Sequence, residues 1–134
     1  INNLTDEFSI VLDPFCGKAT IQNEFLEIIK ANKNRQKFFI CSDTNLNQIN
    51  GATENLKTYN TFSSNLDFLL AGMSGCCKFP YRDNLIDLII TDLPFGKNHS
   101  ITNYDNKELF YKDFLIESYR LLNKEHGIII VLLN

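Results

Sequence analysis

The chain has 134 residues, of which 44% are hydrophobic and 22% charged, and its formal net charge at pH 7 is −3. These values fit one globular domain with its own core, and no apolar run approaches the ~20 residues of a membrane-spanning helix. The acidic balance argues against a protein that grips a nucleic-acid backbone with its own charge alone.

The cysteines and the amino-terminal residues indicate where the protein functions. Residues 1–7 lack the basic stretch followed by an apolar one that marks a secretory signal. The four cysteines form no C-x-x-C pair, so their spacing argues against zinc and for reduced thiols. We therefore expect an intracellular protein, cytoplasmic or nuclear, without a metal site.

Short apolar runs alternate with helical stretches along the chain. Strands are predicted at residues 9–12, 38–41, 66–71, 86–91 and 128–133, and helices near 21–32, 45–59 and 107–123. Runs that are apolar on both faces and alternate with helices predict a parallel sheet covered on each side. Helical spacing predicts the buried sides of the first and third helices, which are Ile21, Phe25, Ile28 and Ile29, then Phe110, Phe114, Leu115, Leu121 and Leu122.

The turn after the first strand has the sequence Asp13-Pro14-Phe15-Cys16-Gly17-Lys18-Ala19-Thr20. Gly17 permits a positive φ and close approach of a ligand to the backbone, and Thr20 is available as the N-cap of the helix. Free N–H groups at the start of that helix can hold a ligand carboxylate. Asp13 either receives an ammonium group or braces the turn. An ordinary strand-to-helix turn explains the segment equally well.

Asp43 and Thr44 follow the second strand. An acidic side chain at this sheet position holds ribose hydroxyls in dinucleotide folds, but Asp is also a common N-cap, and Asp43 alone fits the capping role better. The dinucleotide fingerprint G-x-G-x-x-G is absent from the sequence. Strand ends that carry Asp13, Asp43 and Asp92 suit the positive sulfonium of S-adenosylmethionine better than they suit a dinucleotide.

The segment Asp92-Leu93-Pro94-Phe95-Gly96 directly follows the fourth strand. Ligands bind at that end of the strands in an open parallel sheet. Asp92 and the backbone carbonyls beside it can accept hydrogens from an exocyclic amine, Phe95 can stack on a flat base, and Pro94 stiffens the turn because its ring fixes φ. The combination predicts methyl transfer to nitrogen. The simpler interpretation is a turn that only ends a strand.

Two of these segments resemble motifs of a known family. The THUMP-domain-containing RNA guanine-N2 methyltransferases, which have a class I S-adenosylmethionine-dependent core, carry D-P-x-C-G-x-G-T and D-[LMP]-P-F-G. Residues 13–20 and 92–96 are similar to these motifs, and the resemblance spans nearly the whole chain. The sequence departs from the family at Ala19, which replaces the second glycine of the loop, and after the third strand, which lacks the usual acidic residue. There we expect backbone N–H groups and packing from Met73 or Phe79 to hold the adenine instead.

The resemblance implies an α/β fold, a Rossmann-like, doubly wound parallel sheet of strand order 3-2-1-4-5. It implies a single catalytic domain over residues 1–134, a fragment of a longer protein that is truncated after the fifth strand. The cofactor is then S-adenosylmethionine, and the methyl acceptor is N2 of guanosine in tRNA or small nuclear RNA. The catalytic residues on this interpretation are Asp92, Leu93, Pro94 and Phe95, and the cofactor-binding residues are Asp13, Pro14, Phe15, Cys16, Gly17, Thr20, Asp43, Thr44, Met73 and Asp92.

The resemblance also implies partners outside this chain. One is an RNA-binding THUMP module that supplies most of the affinity for RNA, and another is a small zinc-containing activator subunit. Two alternatives stay open. The first is a methyltransferase for another planar amine, such as adenine N6 or a protein glutamine. The second is a methyltransferase-like scaffold that binds a partner without catalysis.

Overall fold

The structure, a computed structural model, describes residues 9–31, 37–58, 66–73, 78–94 and 106–132. Strands and helices alternate along these residues, as the hydrophobic pattern predicts. In chain order they are β1 (Ile10–Asp13), α1 (Thr20–Ala31), β2 (Phe38–Asp43), α2 (Leu46–Thr58), β3 (Leu66–Leu70), β4 (Leu88–Asp92), α3 (Lys107–Leu121) and β5 (Ile128–Leu132). Among the described residues, no helix combines the length and the apolar character needed to cross a membrane.

The five strands form one sheet of order β3-β2-β1-β4-β5, and every neighbouring pair is parallel. This confirms the predicted doubly wound fold and its strand order. The chain adds β2 and β3 on one side of β1 and then returns to place β4 on the other side. The direction of winding therefore reverses between β1 and β4, and in such folds ligands bind outside the carboxyl ends of the strands at that point.

The core consists of two apolar clusters, one on each face of the sheet. Helices α1 and α2 cover the face that includes Val11, and α3 covers the face that includes Leu12. Adjacent residues of a strand point to opposite faces of the sheet, and for this reason Val11 and Leu12, which are adjacent in β1, belong to different clusters. Both residues are fully buried, so β1 is a central strand that both layers of helices pack against.

The predicted buried side of α1 is wrong in part. Ile21, Phe25 and Ile28 are half-buried, whereas the polar Gln22 is only 1% exposed and Leu26 is 8% exposed. The amide of Gln22 donates a 2.6 Å hydrogen bond to Oδ2 of Asp13, a buried partner that the apolar pattern does not identify. The side chain of Ile29 lies outside the described residues.

Two further expectations about the helices are corrected. Leu115 of α3 is 55% exposed, while Glu117 and Ser118 are buried, so the apolar side predicted for α3 is wrong at that residue. Thr20 is the first residue of α1 rather than its N-cap. The preceding Ala19 has a φ of 62°, a left-handed conformation unlike the extended backbone of a usual N-cap.

Arg120 of α3 holds the segment that leads into β4, residues 78–84, which we call the strap. Its guanidinium donates to the carbonyl oxygens of Phe79 and Tyr81 at 3.0 and 2.8 Å and to Oδ1 of Asp83 at 2.5 Å. It also pairs with Glu117, whose Oε1 accepts a 2.8 Å hydrogen bond from the backbone N–H of Phe79. Two charged side chains of α3 therefore fix the strap against that helix.

Asp87, just before β4, joins three strands at the other end of the sheet. Its Oδ2 accepts hydrogen bonds from the backbone N–H groups of Ser9 and Ile10, each at 2.9 Å, and its Oδ1 lies 2.8 Å from Nε2 of His126. Burial raises the pKa of Asp87, but the hydrogen bonds from Ile10, Ser9 and His126 outweigh it and lower the pKa. The ionised carboxylate aligns the amino ends of β1, β4 and β5.

Candidate cofactor and substrate site

Three aspartates lie at the carboxyl edge of neighbouring strands. Asp13 is the last residue of β1, Asp43 of β2 and Asp92 of β4. Because β1 lies between β2 and β4 and all three strands are parallel, the three residues share one edge of the sheet. Asp13 is buried, Asp43 is half-buried and Asp92 is exposed. The same residue type therefore meets three different environments within one site.

The turn between β1 and α1 contains two left-handed residues. Gly17 has a φ of 50° and Ala19 a φ of 62°. A Cβ built on Gly17 would have no atom within 4 Å, so the space beside this glycine is open. Ala19 is fully buried and its N–H donates to the carbonyl oxygen of Cys16 at 2.8 Å. The residue that replaces the second glycine of the motif thus adopts the conformation for which glycine is preferred.

Asp43 ties the first turn to the second. Its Oδ2 accepts a 3.0 Å hydrogen bond from the N–H of Gly17, and its Oδ1 accepts one of 2.8 Å from the N–H of Asn45. Asn45, not Asp43, caps α2, because its own side chain accepts a 2.9 Å hydrogen bond from the N–H of Asn47. The capping alternative for Asp43 is therefore wrong. Each carboxylate oxygen has a second lone pair, so Asp43 can still accept a hydroxyl donor.

Asp13 braces the turn from inside the protein. Its Oδ1 accepts hydrogen bonds from the N–H of Phe15 at 3.1 Å and from the hydroxyl of Thr91 at 2.7 Å, and its Oδ2 accepts from Gln22. Burial raises the pKa of Asp13 to about 6, although the hydrogen bonds from Thr91, Gln22 and Phe15 oppose the shift. Of the two roles that the sequence left open, the structure places Asp13 in the bracing one, since only 2% of the residue is exposed.

The next three residues of the turn are packed into the protein. Pro14 is buried, and the ring of Phe15 packs between Phe110 and Phe114, with centroid distances of 5.6 and 5.7 Å. Burial, together with the nearby charges of Asp13 and Asp43, raises the pKa of Cys16 far above its ordinary value, so the thiol stays protonated. Thr20, by contrast, is exposed at the start of α1. A cofactor in this turn would meet mainly backbone atoms.

Buried and exposed residues alternate along the end of β4 and the first residues after it. Thr91 is fully buried, Asp92 is exposed, Leu93 is 4% exposed and Pro94 is half-buried. Asp92 therefore points away from the core while its two neighbours fix the backbone. Phe95, predicted to stack on the base, lies outside the described residues, so that role stays a prediction.

The residues after β3 offer apolar packing and no acidic group. Met73 is 7% exposed and Phe79 is 3% exposed, and both belong to the apolar cluster beneath α3. The N–H of Phe79 is already bonded to Glu117. Nearby, the hydroxyl of Tyr81 donates a 3.2 Å hydrogen bond to Oγ of Ser42, so the strap reaches the carboxyl end of β2. The expectation that Met73 contacts adenine stays a prediction.

Sequence reasoning missed Gln22, Thr91, Tyr81 and Ser42. Two of them carried a readable signal, because a polar residue in an otherwise apolar strand or helix face requires a buried partner. Thr91 ends the apolar run of β4, and Gln22 interrupts the apolar pattern of α1. The contact of Tyr81 with Ser42 joins residues 39 positions apart, which local spacing does not reveal.

A doubly wound sheet of order β3-β2-β1-β4-β5, with an aspartate at the carboxyl end of β1, β2 and β4, has the fold expected of a class I methyltransferase core. Residues 3–134 match the family described as UPF0020: RMKL-like, methyltransferase domain, and the chain belongs to that family. Methyltransferases of this family use S-adenosylmethionine, which confirms the expected cofactor.

Two relatives carry more specific names. The chain is 29% identical over 126 residues to the U6 snRNA (guanine-N(2))-methyltransferase THUMPD2 of Bos taurus, an alignment of 94% of this chain and 22% of that protein. It is 31% identical over 97 residues to the tRNA (guanine(6)-N(2))-methyltransferase THUMP3 of Homo sapiens, covering 67% of this chain and 18% of that protein. The chain thus spans about a fifth of the length of these relatives.

The fold is also similar to that of solved structures. A SAM-dependent methyltransferase from Aquifex aeolicus aligns with a TM-score of 0.64 at 19% identity, covering 92% of this chain and 55% of that one. At this identity the likeness extends to the fold alone.

Proposed function

We propose that residues 1–134 form the catalytic domain of an enzyme that transfers a methyl group from S-adenosylmethionine to the exocyclic N2 of guanosine in structured RNA, either tRNA or small nuclear RNA. The observation that carries the proposal is the exposed Asp92 beside two turns whose aspartates are already tied to the backbone. The names of the two relatives support guanine N2 as the acceptor.

The first two turns fit the cofactor. The open space beside Gly17 allows close approach to the backbone, and the first turn of α1 has N–H groups that cannot bond within the helix and attract a carboxylate. Asp43 keeps acceptor capacity for ribose hydroxyls. When bound, S-adenosylmethionine supplies an electrophilic methyl group on a positive sulfonium, which the carboxylate of Asp43 favours electrostatically. Leu93 and Met73, both buried in the apolar cluster beneath α3, are assigned to the apolar side of the site.

Asp92 orients the acceptor amine. Its exposed carboxylate and the carbonyl of Leu93 accept hydrogen bonds from the two amine hydrogens, which directs the nitrogen lone pair toward the methyl group. Holding two reactants in line is worth about 7–11 kcal/mol. Asp92 would take the proton that the amine loses as the new N–C bond forms and the S–C bond of the donor breaks, and a strong base is unnecessary because the nitrogen becomes acidic only at that stage. Phe95 holds the base by stacking, with a contribution of about 1–3 kcal/mol.

RNA affinity comes mainly from outside this chain. A net charge of −3 gives little attraction for a phosphate backbone, so we assign that role to an RNA-binding THUMP module, with a small zinc-containing subunit as activator. A protein with these partners works in the cytoplasm or the nucleus.

The test is transfer of labelled methyl to total RNA, with nucleoside analysis of the product. We expect N2-methylguanosine from the full-length protein and a loss of about 10²–10³-fold in rate for Asp92→Ala, with cofactor affinity by calorimetry changed less than about threefold. Asp67→Asn, at an exposed carboxylate within β3, is the matched control and keeps full activity.

Three outcomes contradict the proposal. Equal loss of transfer and cofactor affinity in Asp92→Ala removes the role given to that residue. Label in adenine or in protein, with none in guanine, identifies another planar amine as the acceptor. Absence of heat with millimolar S-adenosylmethionine identifies a non-catalytic scaffold.

A further inference from the structure

One buried carboxylate receives hydrogen bonds from three separate parts of the chain. Asp13 accepts from the N–H of Phe15 in the first turn, from the amide of Gln22 in α1 and from the hydroxyl of Thr91 at the end of β4. The contact with Thr91 joins residues 78 positions apart. Asp13 therefore bonds directly to the turn assigned to the cofactor and to the end of the strand that leads into the turn assigned to the substrate.

All three side chains are shielded from solvent. Asp13 is 2%, Gln22 1% and Thr91 0% exposed. A buried polar group that loses its partner keeps the full penalty of desolvation, so neither of the two side-chain bonds, from Gln22 and from Thr91, is exchanged freely for water. Gln22 also has an Oε1 atom without a hydrogen-bond partner among the described residues. The chain thus tolerates an orphan acceptor on Gln22 while its Nε2 atom reaches Asp13.

The hydrogen-bond donors of Asp13 help to keep it ionised against burial and a nearby negative charge. The carboxylate of Asp43, from the end of β2, adds a second negative charge that also raises the pKa of Asp13. Burial raises the pKa of Asp13, and the hydroxyl of Thr91 is the strongest of the hydrogen bonds that lower it. The hydroxyl therefore helps to keep Asp13 ionised at neutral pH.

The contact between Thr91 and Asp13 affects the substrate turn because Thr91 and Asp92 are adjacent residues of β4. Side chains alternate along a strand, so the inward position of Thr91 sets the outward position of Asp92. On the other side, Phe15 is two residues from Gly17, where the space beside the backbone is open.

We propose that Thr91 is a positioning residue that, through Asp13, fixes the separation between the cofactor turn and the substrate turn. The catalytic consequence depends on the function proposed above, whereas the link between the two turns does not. A misplacement of 1 Å costs about 10²-fold in rate, and a rigid internal connection between the turns removes that loss.

The test compares Thr91→Val, which keeps the shape and removes the hydroxyl, with Thr91→Ser, which keeps the hydroxyl. Thr53→Val is the matched control, because the Thr53 hydroxyl donates to the carbonyl of Ile49 within α2, away from both turns. The full-length protein is used throughout. We expect Thr91→Val to lower kcat about tenfold or more while the KM for S-adenosylmethionine changes less than about threefold. Thr91→Ser and Thr53→Val stay close to the parent protein.

Hydrogen exchange measured by mass spectrometry gives a readout that needs no activity. We expect peptides that cover residues 13–19 to exchange faster in Thr91→Val, although the substitution is on β4, and to be unchanged in Thr91→Ser. If Thr91→Val does not fold, Gln22→Met removes a second donor to the same carboxylate and is expected to loosen residues 13–19 and 91–94 together.

Unchanged exchange at residues 13–19 in a folded Thr91→Val protein overturns the proposal, as does equal loss of kcat in the Val and Ser variants. If the proposed methyltransferase function is wrong but the link between the turns is right, the results differ from these. The parent protein then transfers no methyl group, while hydrogen exchange in the first turn still responds to the Thr91 hydroxyl.

Discussion

Gly72 lies against Thr44 so closely that a Cβ built on Gly72 would stand 2.2 Å from the Cγ2 atom of Thr44. The contact joins the residue after Asp43 to the segment after β3. Any side chain at position 72, an acidic one included, would require Thr44 to move. Thr44 in the turn after β2 therefore occupies the space that a side chain at position 72 after β3 would need.

This contact predicts a rescue. Gly72→Ala is expected to destabilise the protein by about 1–3 kcal/mol through overpacking, as measured by urea unfolding. Thr44→Ser removes the obstructing methyl group and is expected to have a small effect alone, but to restore most of the loss in the double variant. Additive effects of the two substitutions would contradict the contact.

Ala19 predicts a different response to glycine. Its left-handed φ costs about 1–2 kcal/mol, and the buried methyl returns about 0.8 kcal/mol. Ala19→Gly is therefore expected to leave the free energy of unfolding unchanged or to raise it by up to about 1 kcal/mol. The matched control is Ala52→Gly, at a fully buried position in α2, which is expected to lose about 1–2 kcal/mol. Equal losses in both variants would show that position 19 carries no strain.

Asp13 predicts a pH dependence of stability. Its pKa in the folded protein is about 6, above the ordinary value of 3.8, so the folded state binds the proton more tightly than the unfolded state. Its contribution to the free energy of unfolding therefore rises as the pH falls from about 7 toward 4, by up to about 3 kcal/mol. In chemical unfolding, we expect the free energy of unfolding of the parent protein to increase relative to that of Asp13→Asn as the pH is lowered from 7 to 5. A difference that does not change over this range would refute the assignment.

Asp87 provides a comparison of opposite sign. Its pKa is lowered, so its contribution is present above the ordinary value and is lost as the pH falls below it. The advantage of the parent protein over Asp87→Asn is expected to shrink between pH 5 and pH 3. Opposite slopes for the two variants are the signature to look for.

Arg120 predicts unequal effects among its partners. The side chain of Glu117 is 6% exposed and that of Asp83 is 68% exposed. Arg120→Ala leaves Glu117 buried without its cation, which costs about 3–5 kcal/mol. Asp83→Ala removes an exposed partner and is expected to cost about 0–1 kcal/mol. Thermal unfolding of both variants measures the difference, and a large loss in Asp83→Ala alone would reverse this ranking.

Much of the fold follows from local pattern. Runs such as residues 86–91, apolar on both faces, indicate buried parallel strands, and observed boundaries lie within two residues of the predicted ones. The predicted aspartates after β1, β2 and β4 do reach one edge, because strand order alone decides this. The partners of those aspartates could not be predicted. Thr91 and Asp13 meet only once β4 lies beside β1, and Gln22 reaches the same carboxylate from α1.

Asp87 has a consequence for the order of events during synthesis. It accepts the N–H groups of Ser9 and Ile10, residues 78 and 77 positions earlier in the chain. These donors emerge from the ribosome long before their acceptor. The backbone N–H groups at the beginning of β1 therefore lack their native partner until translation has passed β4. Closure of such distant contacts slows folding, so this domain acquires its final alignment late, after the residues of β4 have been synthesised.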